Sequence, residues 1–152
     1  MNNREAFMKK IIFAAFAAMV MTVFSACSVE DPTVVAGREW NPANQSVADT
    51  TSTFKMNEQM VVQFRYGKNF DFGKLKTTFF EGSVENKGRE IWSHEIPVSP
   101  KVAIYTLQGK SKMGGLMNAK EMTRLKKPGT VLVEFSADGK VLASKTISVE
   151  LP

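Results

Sequence analysis

Residues 127–151, KPGTVLVEFSADGKVLASKTISVEL, form the segment that decides the predicted fold. Apolar residues occupy alternate positions in each half of it, a period of two that is typical of a strand with one buried face. Between the halves, Asp138-Gly139 favours the positive-φ turn of a β-hairpin. The segment therefore predicts a C-terminal hairpin. Lys145 shares the apolar parity of the return strand, which predicts a bulge or an edge position.

Four earlier segments carry strand patterns: residues 60–66, 74–81, 90–98 and 102–107. One helical signal interrupts them. Asn118 and Glu121 have the spacing of a capping box, and Pro128 with Gly129 stops a helix. We therefore expect a two-turn helix from Ala119 to Lys126, crossing between two sheets, and an all-β fold around it.

This order of elements resembles the immunoglobulin-like or fibronectin-III-like modules of bacterial envelopes. The resemblance rests on residues 127–151, and it implies a β-sandwich of about seven strands over residues 53–152. Val131 stands where such domains often have tyrosine, and the Cys…Trp…Cys pattern of antibody domains is missing from the sequence. The resemblance carries no function with it, because one sandwich fold serves many roles.

The N-terminal segment has the pattern of a signal peptide. Lys9 and Lys10 precede an apolar run over residues 11–24, which is too short to span a bilayer as a helix. Phe24-Ser25-Ala26-Cys27 resembles the processing site of bacterial lipoproteins, with Phe24 in place of their usual leucine. The resemblance implies that the Cys27 thiol receives diacylglycerol, that the chain is cut before it, and that the new amino terminus takes a fatty acid such as palmitate. Translation starts at Met1 or at Met8.

Two other interpretations of Cys27 remain open: an ordinary secretory signal that ends beside a cysteine, and a buried free thiol. We expect a signal peptide over residues 1–26, a lipidated N-terminus and flexible tether over residues 27–52, and the sandwich from residue 53. The tether is predicted because residues 28–52 are polar and lack a periodic apolar pattern. Within it, Trp40 either docks on the domain or begins its first strand.

The sequence offers little for catalysis. His94 is the only histidine, and the only thiol, Cys27, would be capped by lipid. We predict that His94 is a packed, hydrogen-bonded or edge residue between Trp92 and Ile96. No phosphate-binding glycine motif follows a strand. We therefore predict a protein without cofactor or enzymatic activity: a binding or structural module anchored by its N-terminal lipid in the cell envelope, at the outer membrane, facing periplasm or the outside.

An alternative role is a small periplasmic carrier of copper or another ligand. Met113, Met117 and Met122 cluster within ten residues, and soft thioethers select Cu(I). Methionine is equally a filler of hydrophobic cores, and Met122 already lies on the predicted buried face of the helix.

A basic segment offers a candidate surface for a partner. Residues 110–127 carry six cations against the single acid Glu121. Such a surface could contact anionic lipid headgroups, lipopolysaccharide or an acidic protein, or it could be an ordinary solvated face. Nucleic acid is not expected as a partner, because the predicted compartment is the cell envelope and the segment has no aromatic residue. The cations predicted to meet an envelope protein or anionic surface are Lys120, Arg124, Lys126 and Lys127.

Overall fold

The computed structural model describes residues 30–152, which form two β-sheets and one short helix. The predicted signal peptide and Cys27 lie outside the described residues. The elements are β1 (Thr33–Asn41), β2 (Ser46–Thr50), β3 (Thr53–Lys55), β4 (Val61–Arg65), β5 (Lys74–Gly82), β6 (Lys87–Pro97), β7 (Ile104–Leu107), α1 (Ala119–Thr123), β8 (Gly129–Ala137) and β9 (Lys140–Glu150).

The two sheets pack face to face. One has the strand order β2-β1-β4-β7, and the other has the order β3-β9-β8-β5-β6. All neighbours are antiparallel except β3 and β9. The predicted all-β sandwich with one short helix is confirmed, with nine strands in the described part rather than about seven.

The centre of the core lies between β4 and β8, one inner strand from each sheet. Phe64 on β4 stacks on Phe135 of β8, with ring centroids 5.0 Å apart and an angle of 11° between the planes. Both side chains are fully buried. The predicted alternation of Val131, Val133 and Phe135 is therefore the inner face of β8, and these residues belong to one hydrophobic cluster.

The predicted flexible tether is wrong over most of its length, because β1 and β2 lie within residues 33–50. β1 is an inner strand: its first half pairs with β4 and its second half pairs with β2. The sequence does not reveal these strands, because few β1 side chains reach the core. Ala36 is the β1 side chain that is fully buried there. Trp40 belongs to β1 and pairs with Val47, so the sandwich begins near Thr33 rather than Thr53.

The β1–β2 hairpin covers part of the outer face of its own sheet. Gln63 alternates with the core residues Val62 and Phe64, so it points away from the core, yet it is fully buried. Its side-chain nitrogen donates to the backbone oxygen of Gln45 in the hairpin turn (2.9 Å) and to the hydroxyl of Thr106 on β7 (3.0 Å). This buried amide is satisfied, as burial requires.

Arg38 joins the hairpin to β3. Its guanidinium donates to Asp49 Oδ2 and to the backbone oxygen of Thr53, each at 3.2 Å, and it lies over the ring of Phe54. Glu58 Oε2 is 3.1 Å from Arg38 Nε. A backbone hydrogen bond from Lys55 and then the Arg38 side chain lower the pKa of Glu58.

Two local predictions are resolved in the second half of the chain. The capping box of Asn118 and Glu121 is confirmed, but α1 ends at Thr123 rather than Lys126. Arg124 takes a left-handed conformation (φ 58°) and turns the chain out of the helix. Lys145 pairs with Val133 in the stretch of β9 that β3 leaves uncovered, so the edge interpretation holds there.

A compact cluster closes the end of the sandwich where β4 leads into β5. The Tyr66 hydroxyl donates to Asp71 Oδ1 (2.6 Å), and Lys68 Nζ lies 2.7 Å from Asp71 Oδ2. Lys68 first and then Tyr66 lower the pKa of Asp71 below its ordinary value of 3.8. The lowered pKa means that Asp71 contributes stability above its unfolded pKa and that this contribution is lost as the pH falls through the folded pKa.

We expect the Gly37→Ala substitution to lower the free energy of unfolding by about 1–3 kcal/mol. A Cβ at Gly37 would collide with the backbone oxygen of Ala48 and the side chain of Val47. The collision would push the β1–β2 hairpin out of its position. Urea denaturation of the full chain measures the effect. Gly73→Ala is the matched control, because a Cβ there meets no atom within 4 Å. Equal stability of the two variants would contradict the assigned packing of the hairpin.

We expect Asp71→Asn to destabilise the protein at neutral pH, and the destabilisation to shrink as the pH falls through the folded pKa of Asp71, which Lys68 and Tyr66 hold below 3.8. Thermal unfolding of both proteins as a function of pH measures this. Asp138→Asn is the control, because the exposed hairpin turn at Asp138-Gly139 tolerates asparagine equally well. A constant difference between wild type and Asp71→Asn at all pH values would refute the role of the carboxylate charge.

Candidate functional site

Helix α1 is held at one end of the sandwich by hydrogen bonds to the segment after β3 and to Trp92. The N–H groups of Ala119 and Lys120 donate to the backbone oxygens of Glu58 (2.8 Å) and Met56 (3.0 Å). Ala119 and Met122 are buried in the main core. A five-residue helix has little stability of its own, so these tertiary contacts hold it in place.

The capping box orders the approach to α1. Asn118 Oδ1 accepts from the Glu121 N–H (2.9 Å), and Glu121 Oε2 accepts from the Asn118 N–H (3.1 Å). The hydroxyl of Ser111 donates to the second oxygen of Glu121 (2.9 Å). Glu121, the one acid of residues 110–127, is therefore engaged in local structure.

Trp92 connects α1 to β6. Its indole Nε1 donates to the backbone oxygen of Met122 (2.9 Å), and its ring stacks on Phe79 with centroids 4.7 Å apart. The guanidinium of Arg124 lies 5.1 Å from the centroid of the Trp92 ring. A cation over an indole face is attracted by the ring quadrupole, so this contact sets the position of Arg124.

The structure brings the four predicted cations to one surface, which we call the basic surface: Lys120, Arg124, Lys126 and Lys127. Lys120, Arg124 and Lys126 line one shallow groove, and Arg124, Lys126 and Lys127 line a neighbouring one. All four residues are exposed. Within residues 30–152, none of them has an acidic group within 4.0 Å. Their role in binding stays a prediction.

Apolar side chains form the floor of these grooves. Ile91 and Leu125 are half-buried beside Arg124, Lys126 and Lys127. A further groove on the other side of Arg124 has a largely apolar lining. Its apolar residues are Trp92, Leu107, Met117 and Met122. Glu81, Arg89 and Glu90 line the same groove as Ile91 and Leu125. The surface therefore combines an excess of cations with half-buried apolar contacts.

His94 is exposed on the edge strand β6, where it lines the groove beside Trp92. The edge interpretation is thus confirmed and the packed one is wrong. The reason lies in the tertiary structure: β6 is the last strand of its sheet, and the four-residue β7 of the opposite sheet is too short to cover His94.

The three methionines of the copper hypothesis lie in different environments. Met113 is 98% exposed at the tip of its loop, whereas Met122 is 3% exposed in the core. Met117 packs against that core and fills the space above Gly109. This arrangement assigns Met117 and Met122 to packing and separates them from Met113.

The described part of the chain offers no acidic or histidine metal cluster: among residues 30–152, no group of three His, Cys, Asp or Glu residues is placed to hold an ion. No helix in those residues is long and apolar enough to span a membrane.

Comparisons with known proteins give a likeness of fold only. No family model matches the chain, and no curated protein matches it. Among solved structures, an immunoglobulin-like protein from Pseudomonas aeruginosa is similar, with 15% identity over 81% of this chain and 99% of that chain and a TM-score of 0.46.

Sequence reasoning missed the contact between Trp92 and Arg124, which are 32 positions apart. No signal in the sequence pairs them, because the pairing depends on how α1 docks against β6. The left-handed conformation of Arg124 is likewise invisible in the sequence, since arginine does not favour it.

We expect Asn118→Ala to lower the free energy of unfolding by about 1 kcal/mol, the usual cost of losing an N-cap side chain. The loss should also loosen the segment that carries the basic surface. Thermal denaturation measures the stability, and hydrogen exchange of residues 118–127 measures the local opening. Asn57→Ala is the control, because Asn57 is exposed and outside the cap. Unchanged exchange in the Asn118→Ala variant would show that the cap does not order this segment.

Proposed function

We propose that this chain is a lipid-anchored, non-enzymatic binding module of the bacterial cell envelope, and that its basic surface contacts an anionic partner. One observation carries the proposal: Lys120, Arg124, Lys126 and Lys127 lie together, exposed and without acidic partners in the described part of the chain. Glu81 and Glu90 line the same groove as Arg124, Lys126 and Lys127, but Glu81 pairs with Arg89, so the groove keeps a net positive charge that attracts anionic ligands.

The state of Glu121 strengthens this interpretation. It is the only acid among the cations of residues 110–127, and its carboxylate already accepts hydrogen bonds from Asn118 and Ser111. Glu90 lines a groove with Arg124, Lys126 and Lys127 but forms no ion pair with them, so within residues 30–152 the excess positive charge is left to solvent ions or to a partner. Unpaired exposed cations cost little free energy in water, so the fold tolerates them until a partner is bound.

A non-enzymatic role is supported by the chemistry on the described surface. His94, the one histidine of the chain, is exposed, and it lines a groove with Glu121, whose carboxylate is occupied by the helix cap. A general acid or base needs a partner that orients it and a place for a substrate within hydrogen-bond reach. The features around His94 suit contact rather than catalysis.

The anchor is supported by the sequence at Phe24-Ser25-Ala26-Cys27. Two or three acyl chains hold a protein stably at a membrane, because each buried CH₂ contributes about 0.8 kcal/mol. Only residues 28–32 separate Cys27 from the first strand. An anchored sandwich would therefore be held close to its membrane, unlike a domain on a 25-residue tether.

We expect Cys27→Ser to abolish both lipidation and retention in the membrane fraction, since the thiol is the acceptor of the lipid. Intact-mass spectrometry of the protein from its native envelope and detergent phase partitioning measure the two effects. Ser28→Ala is the matched control and should leave both unchanged. A wild-type protein whose Cys27 carries a free thiol would overturn the proposed anchor.

A further inference from the structure

We infer that the partner of the basic surface is an acidic protein segment with apolar side chains, bound at the end of the sandwich that faces away from the anchoring membrane. The inference rests on the proposed lipid anchor and deepens it, because it selects one partner among the anionic classes that the sequence left open. Strand polarity, covalent geometry and the composition of the grooves carry it.

Strand polarity defines the end of the sandwich that lies nearest to Cys27. Thr33 at the start of β1 pairs with Arg65 at the end of β4, and Arg65 pairs with Ile104 at the start of β7. The first residue of β5, Lys74, pairs with the last residue of β6, Pro97. We call this the N-terminal end; it includes Glu30 and the loops over residues 66–73 and 98–103.

The basic surface lies at the opposite end. Lys127 lies two positions before β8, and Gly129 at the start of β8 pairs with Val149 near the end of β9. Helix α1 joins the same end, because the Lys120 N–H donates to Met56 and the Met56 N–H donates to Glu150 at the end of β9. The strands therefore separate the basic surface from the N-terminal end.

The two ends are too far apart for the basic surface to interact electrostatically with a membrane held at the N-terminal end. The nine residues of β8 correspond to a rise of about 27 Å between the two ends. Three residues of extended chain from Cys27 to Glu30 span at most about 10 Å, so a lipid on Cys27 would draw the N-terminal end to the membrane. Screening at physiological salt limits charge interactions to about 8 Å, which is much less than the length of the strands. A sandwich anchored at its N-terminal end therefore has its basic surface on the side that faces away from the membrane.

The grooves favour a protein segment over a layer of headgroups. Ile91 and Leu125 line one groove together with Arg124, Lys126, Lys127 and the acids Glu81 and Glu90, and the separate groove beside Trp92 adds further apolar lining. A planar array of phosphates would contact the cations but leave these floors unfilled. A segment that alternates acidic and apolar side chains satisfies both features. The free edge of β6 runs past the grooves, so an extended segment can lie along it.

The experiment places a photo-crosslinking phenylalanine derivative in the full, lipidated chain in living cells, at one of two exposed positions. Gln108 lines the groove beside Trp92, and Val102 (43% exposed) lies at the N-terminal end. Mass spectrometry identifies the adducts. We expect Val102 to give lipid adducts and Gln108 to give adducts with a peptide of net negative charge that also contains apolar residues.

Charge-reversed variants test the specificity of the Gln108 adduct. Lys126→Glu/Lys127→Glu should lower its yield at least about fivefold, because two exposed ion pairs become repulsions. Lys101→Glu/Lys140→Glu makes the same change in net charge near the N-terminal end and should leave the Gln108 yield within about twofold. Equal losses in both variants would mean that net charge alone drives the association, and they would overturn the inference.

The two positions separate failure of the inference from failure of the proposed anchor. Lipid adducts at Val102 together with lipid or lipopolysaccharide adducts at Gln108 would keep the anchor and overturn the acidic protein partner. The absence of any adduct at Gln108, with lipid still captured at Val102, would overturn it as well. Absence of lipid adducts at Val102 would instead contradict the anchor.

Discussion

The packing of Phe64 against Phe135 is the contact on which the rest of the structure depends, because it joins the inner strands of two separate hydrogen-bonded sheets. Burial of these rings provides a driving force that the strand ladders alone do not supply, since an isolated sheet leaves its apolar face in water. The ends of the sandwich must then be closed. The cluster around Tyr66 closes one end, and helix α1, with Met122 in the same core, closes the other. The two ends consequently carry different chemistry.

This difference bears on how the surface of the protein can work. At the end closed by α1, the helix is too short to persist by itself, so the basic surface depends on docking contacts: the Trp92 bond to Met122 and the position of Arg124 over the indole ring. The capping box engages the Glu121 carboxylate, and the neighbouring cations have no ion-pair partner among residues 30–152. The capping box therefore orders the start of α1, while the cations of the basic surface stay unpaired in that part of the chain.

The N-terminal strand links the fold to the proposed anchor. Because β1 pairs with β4 inside its sheet, the chain is part of the sandwich from Thr33 onward. A long tether would have let the domain turn freely, whereas the short connection to Cys27 ties the direction of the anchor to strand polarity. The orientation argument for the basic surface depends on this pairing.

The sequence by itself determined the elements whose signals are local: the β8–β9 hairpin with its Asp138-Gly139 turn, the inner face of β8, and the capping box at Asn118. Each depends on residues a few positions apart, whose periodicity and hydrogen-bonding capacity can be read directly. Only the tertiary structure decided that residues 33–50 are strands, that α1 ends at Thr123, that His94 is exposed, and that Trp92 supports Arg124. Those outcomes depend on pairing and packing between segments far apart in the chain, where a weakly apolar stretch such as β1 gains its structure from the strands beside it.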